Sequence, residues 1–194
     1  MSYILIGSRP SPYVRKIRLV LESISYEFRE LNIYEGVDGV ELNKVNPINR
    51  IPVLLDENKT IWDSRQIFNY LNQKHQLFAM DWEDENLITA IDGMLDAGVD
   101  LALMRRSGMD IKEPYMYIQR QKDRIESILD YLSKSYLKSE KSHHWNFVSI
   151  SLLSFIDWSI FRELTDYTHR PDFIEFLNRF KTKPIVEKTD PRLS

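Results

Sequence analysis

Three short segments in the first half of the chain carry groups that suit a small, peptide-like anion. Ser11 stands just before a helical pattern, and Asp63-Ser64 stands just before another. A helix N-terminus exposes unpaired N–H groups and a partial positive charge, so both segments favour an anionic group nearby. Ile51-Pro52 enters a strand, where a cis bond would leave the Ile51 N–H and C=O free to pair with an extended ligand. Together the segments predict a site for a small peptide that has a carboxylate and an anionic group.

Each of these residues also has a purely structural interpretation. Ser11 and Ser64 are good helix N-caps, a role that stabilises a helix by about 1 kcal/mol without any ligand. Asp63 would favour the helix dipole, and Pro52 would shape an edge strand. No one of these residues is specific by itself, and it is their joint occurrence in this order that favours a binding site.

The apolar pattern predicts the elements that must position these segments. Residues 3–6 form a short apolar run that ends at Gly7 and suits a buried strand. Pro12 then takes the first position of a helix, where its missing N–H costs nothing, and a second strand follows over residues 26–31. Two strands joined by a helix imply a parallel pair with a right-handed crossover.

A β-hairpin and a helix complete the first half. After a loop, residues 51–55 and 60–62 are predicted as two strands around the turn 56–59, and Ser64 is predicted to cap the helix that follows. The first half is therefore predicted to be an α/β domain in which βαβ is followed by ββα.

Strand patterns disappear after Trp82, and the second half predicts helices alone. Residues 76–84 are the expected linker, which divides the chain into an α/β domain over 1–78 and an all-helical domain over 84–194. Helical periodicity covers Asn86 to Met104, Pro114 to about Tyr136, Asn146 to Leu164, and Pro171 to Phe180.

The composition argues against several classes of function. The absence of cysteine excludes a disulfide framework, a Cys-rich zinc site and a thiol nucleophile on the protein. The net charge of −3, with scattered Lys and Arg, argues against nucleic-acid binding. No apolar run reaches the roughly twenty residues of a membrane span. The adjacent His143 and His144 point apart without spaced partners, so no metal site is expected. We expect a cytoplasmic protein that is not a redox enzyme.

The three segments resemble motifs of the cytosolic glutathione transferases. Residues 11–16 (Ser-Pro-Tyr-Val-Arg-Lys) are similar to the segment that holds the thiol-activating residue in serine-type and cysteine-type members. Residues 46–54 (Asn-Pro-Ile-Asn-Arg-Ile-Pro-Val-Leu) resemble the family motif Asn-Pro-x-Gly-Lys-Val-Pro-x-Leu, and residues 62–71 resemble Glu/Asp-Ser-x-x-Ile-x-x-Tyr-Leu. The chain is most similar to bacterial, serine-type members, in which a thioredoxin-like domain precedes an all-helical domain.

The resemblance implies that Ser11 acts on the thiol of glutathione. Its hydroxyl would donate a hydrogen bond to the sulfur and favour the thiolate, which is the nucleophilic form. Ser8 remains a competitor for this role. Gly7 stands where tyrosine-type members have their tyrosine, so a tyrosine mechanism is not expected.

The resemblance also implies how the peptide of glutathione would be held. Ile51 would pair through its backbone with the cysteinyl part, next to a cis-Pro52. Asp63 and Ser64 would hold the γ-glutamyl end, with its carboxylate on the serine and its amino group near the aspartate. Arg50, where Lys is commoner in the family, would lie close to the glycyl end.

The function implied is that of a glutathione S-transferase, which delivers the thiolate to a small hydrophobic electrophile bound against the helical domain. An isomerase or weak peroxidase activity would use the same site. No cofactor is expected besides glutathione as substrate, and the family resemblance predicts a homodimer. The alternative is a binding or regulatory protein that keeps the fold without efficient catalysis, since fold alone does not settle function.

The chain departs from the family pattern at two places. Asn49 replaces the usual Gly, which Asn tolerates because it can adopt left-handed conformations. His143 and Asn146 stand where the family often has a Ser/Thr–Asp capping box, so a weakened cap is predicted for the helix that begins there.

Overall fold

The computed structural model describes residues 3–31 and 36–193, and the chain divides into two compact units. The first unit contains Met1–Ala79 together with Lys183–Ser194, and the second contains Met80–Thr182. The C-terminal residues 183–194 therefore belong to the first unit, whereas the predicted helical domain over 84–194 includes them. The assignment of separate functions to 1–78 and 84–194 stays a prediction.

The first unit is built on one mixed four-stranded sheet in the order β2-β1-β3-β4. β1 pairs in parallel with β2, and β3 pairs antiparallel with both β1 and β4. The predicted parallel pair and the predicted hairpin are thus confirmed. The elements are β1 (Tyr3–Gly7), α1 (Pro12–Val20), β2 (Tyr26–Glu30), α2 (Gly36–Val45), β3 (Val53–Asp56), β4 (Lys59–Trp62) and α3 (Ser64–His75).

The helix α2 lies in the segment that the sequence predicts as a loop, so that prediction was wrong. Leu42 is fully buried and packs with Ile6 and Val53 on one face of the sheet. Val40, two positions earlier, is exposed. With two glycines and no continuous apolar stripe, the segment lacks the periodic pattern by which an amphipathic helix is recognised.

The start of α1 lies very close to the end of β1. A Cβ at Gly7 would lie 2.5 Å from Val14 Cγ2, so a residue with a side chain there would clash with Val14 unless that side chain or the helix moved. Pro12 occupies the first helical position, as predicted, and Tyr13 is the one residue of α1 that is not buried. The basic side chains of α1 are therefore largely enclosed, and Arg15 is 1% exposed.

The second unit is helical, as the loss of strand patterns predicts. Gly98 of α4 lies where a Cβ would be 3.1 Å from the Trp158 ring of α6, which allows these two helices to pack closely. No helix in the described part of the chain is both long and apolar enough to cross a membrane. The helices are α4 (Trp82–Arg106), α5 (Met116–Lys134), α6 (Phe147–Phe161) and α7 (Pro171–Phe180), and a 3₁₀ turn spans Glu140–His143.

The N-terminus of α6 is well capped, so the prediction of a weakened cap at His143 and Asn146 was wrong. Asn146 is itself the N-cap, and its Oδ1 accepts hydrogen bonds from the Ser149 N–H (2.8 Å) and the Tyr136 hydroxyl (3.1 Å). The Ser149 hydroxyl donates to the His144 C=O at 2.8 Å. The helix begins at Phe147, next to its predicted start at Asn146, so the N-cap is Asn146 and not His143, the residue one turn earlier that the family capping box implies.

Residues 183–194 pack against α1 through its buried arginine. They contain the short helix α8 (Pro184–Lys188). Arg15 donates from Nη2 to the Val186 C=O (3.2 Å) and from Nε to Thr189 Oγ1 (3.5 Å). The last carbonyls of a helix lack partners within it and favour a cation, so the Arg15 guanidinium caps α8.

A buried carboxylate lies at the opposite end of the sheet from Gly7. Asp56 ends β3, and its Oδ2 accepts hydrogen bonds from Lys74 Nζ (2.6 Å) and the Tyr70 hydroxyl (2.5 Å). Lys74 also lies 5.1 Å from the centroid of the Tyr3 ring. The hydrogen bond from Lys74, and to a smaller extent the one from Tyr70, holds the pKa of the Asp56 carboxyl below its usual range. Burial acts in the opposite direction and raises this pKa. The ionised carboxylate therefore stabilises the folded unit.

We expect Asp56→Asn to lower the free energy of unfolding at neutral pH, and the difference from the wild type to shrink as the pH falls. The folded pKa of Asp56 lies below the unfolded value of about 3.9, so its contribution is complete above that pH and disappears below it. Urea unfolding over a pH series measures both variants. Glu57→Gln, an exposed carboxylate in the same turn, is the control. A difference that stays constant down to acid pH would contradict this account.

We expect Arg15→Met to lower the free energy of unfolding by about 1–3 kcal/mol, because it removes the charged donor to the buried Val186 C=O and leaves that carbonyl only a long bond of 3.4 Å from the Thr189 hydroxyl. Limited proteolysis should then cut the chain near residue 183 faster. Arg9→Met is the matched control. It breaks a half-exposed ion pair with Glu30 and should cost no more than about 1 kcal/mol. Equal denaturation midpoints for the two variants would show that Arg15 does not hold the C-terminal segment.

Candidate functional site

The register of β1, β3 and β4 brings the three predicted segments to one end of the sheet. Ile6 lies opposite Val53, which in turn lies opposite Trp62. Neighbouring strands are about 4.8 Å apart, so these three strand ends lie within about 10 Å of one another. The chain leaves β1, enters β3 and leaves β4 at this same end.

The predicted site residues flank these strand ends. Ser11 lies in the connection from β1 to α1, Ile51-Pro52 leads into β3, and Asp63-Ser64 joins β4 to α3. Both α1 and α3 begin here, so two helix N-termini with partial positive charge meet at one end of the unit. This arrangement favours a bound anion.

Ser11 is the N-cap of α1, as its structural interpretation predicts. Its Oγ accepts a long hydrogen bond of 3.4 Å from the Val14 N–H. The side chain is half-buried, and its hydroxyl hydrogen has no acceptor among the described residues. Ser8 is also half-buried, and its C=O accepts from the Ser11 N–H at 3.1 Å. Both hydroxyls lie near the strand end, but Ser11 is the one at a helix N-terminus.

The Ile51-Pro52 peptide bond is cis. Ile51 is half-buried, and neither its N–H nor its C=O is hydrogen-bonded to any residue that the structure describes. One donor and one acceptor of an extended backbone are thus available beside the strand end. The Arg50 side chain next to them is exposed.

Asp63, and not Ser64, is the N-cap of α3, so the prediction that Ser64 caps this helix was wrong. Asp63 Oδ1 accepts from the N–H groups of Arg65 (2.8 Å) and Gln66 (3.3 Å). Ser64 is the first helical residue and is buried. Asp63 is exposed, and its Oδ2 has no hydrogen-bond partner in the described ranges. Its φ of 71° is a conformation that favours glycine.

Two residues to which the sequence motifs assign no role hold the segment before β3. Trp62 Nε1 donates to the Val45 C=O at 2.7 Å, and the fully buried Asn46 bonds to the Arg50 C=O at 2.6 Å. The Asn-Pro motif marks Asn46, but its partner is a backbone atom that no sequence pattern reveals. No group of three or more potential metal-ligating side chains occurs within residues 3–31 and 36–193.

Comparison with known proteins identifies similar chains. Residues 5–78 match the protein family described as glutathione S-transferase, N-terminal domain. The chain is 27% identical to the uncharacterized GST-like protein YibF of Escherichia coli (strain K12), over 96% of this chain and 98% of that protein. It is 26% identical to a glutathione transferase family member from Pseudomonas fluorescens Pf-5, solved with bound glutathione. The two structures superpose with a TM-score of 0.83, and the match covers 98% of this chain and 99% of the other.

A more distant structure shares the fold. A glutathione S-transferase from Methylobacillus flagellatus KT, solved with GSH bound, has a TM-score of 0.85 at 21% identity, covering 98% of this chain and 100% of the other. The predicted thioredoxin-like sheet followed by a helical part is thus confirmed.

The backbone conformation of Asp63 yields a prediction about stability. Asp63→Ala and Asp63→Gly both remove the cap, which costs about 1 kcal/mol for alanine and less for glycine. Alanine keeps a Cβ at positive φ, which adds about 1–2 kcal/mol, whereas glycine adopts this conformation freely. We expect the alanine variant to be less stable than the glycine variant in urea unfolding. Equal stabilities would show that this backbone conformation is not strained.

Proposed function

The chain belongs to the glutathione S-transferase superfamily, and we propose that it binds glutathione and activates its thiol for attack on a hydrophobic electrophile. One observation carries the proposal: two helix N-termini and the unpaired Ile51 backbone lie at the same end of the sheet. A tripeptide with two carboxylates and a central thiol has the matching groups. The relative from Pseudomonas fluorescens, solved with bound glutathione, adds support.

The peptide of glutathione would lie along the segment before β3. In our proposal the Ile51 N–H and C=O pair with the cysteinyl carbonyl and amide, next to cis-Pro52. The γ-glutamyl carboxylate lies at the N-terminus of α3 by Ser64, and its ammonium lies against Asp63 Oδ2. The exposed Arg50 guanidinium faces the glycyl carboxylate.

Ser11 supplies the activation in this proposal. Its hydroxyl donates to the sulfur, and the N-terminus of α1 adds partial positive charge, so both lower the pKa of the bound thiol. The thiolate then gives its electron pair to an electrophilic carbon, a C–S bond forms, and the leaving group departs with its bonding electrons. The chain has no cysteine, so no mixed disulfide between protein and glutathione can form.

We propose that residues 84–194 supply the surface for a small hydrophobic electrophile. We also propose that the protein works in the cytoplasm as a homodimer, without a cofactor and without nucleic-acid or membrane partners. Sedimentation of the purified chain measures the oligomeric state directly.

The thiol pKa of bound glutathione tests the proposal. We expect ultraviolet absorbance of the thiolate to rise at a pH well below the value of about 8.5 for a free cysteine thiol. Ser11→Ala should raise the bound thiol pKa by about 1 to 2 pH units, because a hydrogen bond to a charged group contributes roughly 1.5–3 kcal/mol. Ser8→Ala is the matched control and should leave that pKa unchanged.

The other outcomes separate the competing functions. If glutathione binds but the pKa of its thiol does not change, the result would favour a binding or regulatory protein that keeps the site without catalysis. A shift that Ser8→Ala abolishes and Ser11→Ala does not would assign the activating role to Ser8. No binding of glutathione would overturn the proposal.

A further inference from the structure

One buried side chain closes the loop that leads to the unpaired Ile51 backbone. Asn46 is 0% exposed, and its Nδ2 donates to the Arg50 C=O at 2.6 Å. Its Oδ1 accepts from the Ile48 N–H at 3.1 Å, and its own C=O accepts from the Asn49 N–H at 3.1 Å. The loop over residues 46–50 is thus folded around a single amide group.

The bond to Arg50 sets the direction of the next N–H. The Arg50 C=O and the Ile51 N–H belong to one peptide unit, which is trans, since the cis bond is the following one. In a planar trans peptide these two groups point in opposite directions. The carbonyl points at the buried Asn46 amide, so the Ile51 N–H must point away from it, where no described residue accepts it.

Asn46 is in turn held from both sides. Its N–H donates to the Leu42 C=O at the end of α2 (2.8 Å), and the preceding Val45 C=O accepts from Trp62 Nε1 (2.7 Å). Trp62 is the last residue of β4 and adjoins Asp63. The direction of the Ile51 N–H is therefore fixed relative to β4, which ends at Trp62, and to α3, which follows it.

We propose that Asn46 is a positioning residue that orients the Ile51 N–H toward the cysteinyl carbonyl of glutathione. The inference rests on the proposed function, because it concerns the same ligand. Asn46 does not touch the ligand, and it acts through the Arg50–Ile51 peptide unit. Its loss should weaken the one contact that this peptide unit makes.

Asn46→Asp is the sharpest variant. It keeps the size of the side chain and the acceptor for Ile48, but it places an oxygen against the Arg50 C=O in place of a donor. Asn46→Ala, which buries no charge, carries the same expectation if the aspartate variant does not fold. Asn49→Gly is the matched control, because it changes the neighbouring exposed residue at φ 51° to one that adopts this backbone freely.

The test compares two ligands by calorimetry. The first is glutathione, and the second is an analogue in which a trans alkene replaces the Cys–Gly peptide bond and so removes the cysteinyl carbonyl. We expect the wild type to bind the analogue about tenfold more weakly than glutathione, as the loss of one hydrogen bond implies. Asn46→Asp should bind glutathione about tenfold more weakly than the wild type does. It should bind the analogue with the same affinity as the wild type does. Asn49→Gly should behave as the wild type.

The Ile51 amide reports the contact independently of stability. With ¹⁵N-isoleucine labelling, glutathione should slow hydrogen exchange of the Ile51 N–H about tenfold or more in the wild type, and much less in the Asn46 variants. An equal loss of affinity for both ligands in Asn46→Asp would overturn the inference, because it would show a merely structural role. So would a wild type that binds both ligands equally. A wild type that binds no glutathione would instead overturn the proposed function.

Discussion

The backbone pairing of β1, β3 and β4 is the constraint on which the candidate site depends. It holds the ends of three strands level, so the segments that carry the site residues come to the same end of the sheet. A slip of one residue would turn Val53 and Leu54 to opposite faces. Both are fully buried, Val53 beside Leu42 and Ile6, so the apolar cores on the two faces lock the register and with it the site.

The two ends of this sheet differ in whether their polar groups are hydrogen-bonded within the protein. At the end remote from Gly7 several polar side chains are paired with one another. Asp56 accepts from Lys74 and Tyr70, and the Tyr3 hydroxyl bonds to His75 Nε2 at 2.7 Å. At the other end the Ile51 N–H and C=O have no partner among the described residues. Since proteins pair most buried polar groups internally, this contrast favours the end with free groups as the one adapted to a ligand.

Proline and turn residues explain how much of the fold could be predicted from the sequence. Pro12 and Pro171 restrict φ and lack an N–H, so each marks the first residue of a helix, and both helices begin there. The motifs likewise marked Ser11 and Ile51, which the structure brings to the same end of the sheet. Contacts with backbone atoms of distant or irregular segments could not be predicted. Asn46 bonds to such an atom, and the cap at Asn146 depends on where the helix begins.

The packing of residues 183–194 on α1 has a consequence for the order in which the protein is made. Synthesis on the ribosome proceeds from the N-terminus, and domains generally fold as their residues emerge. Here the partners of Arg15 emerge after all of residues 80–182. The unit that begins the chain therefore reaches its final structure last, and the helical unit encoded between its two parts is complete before it.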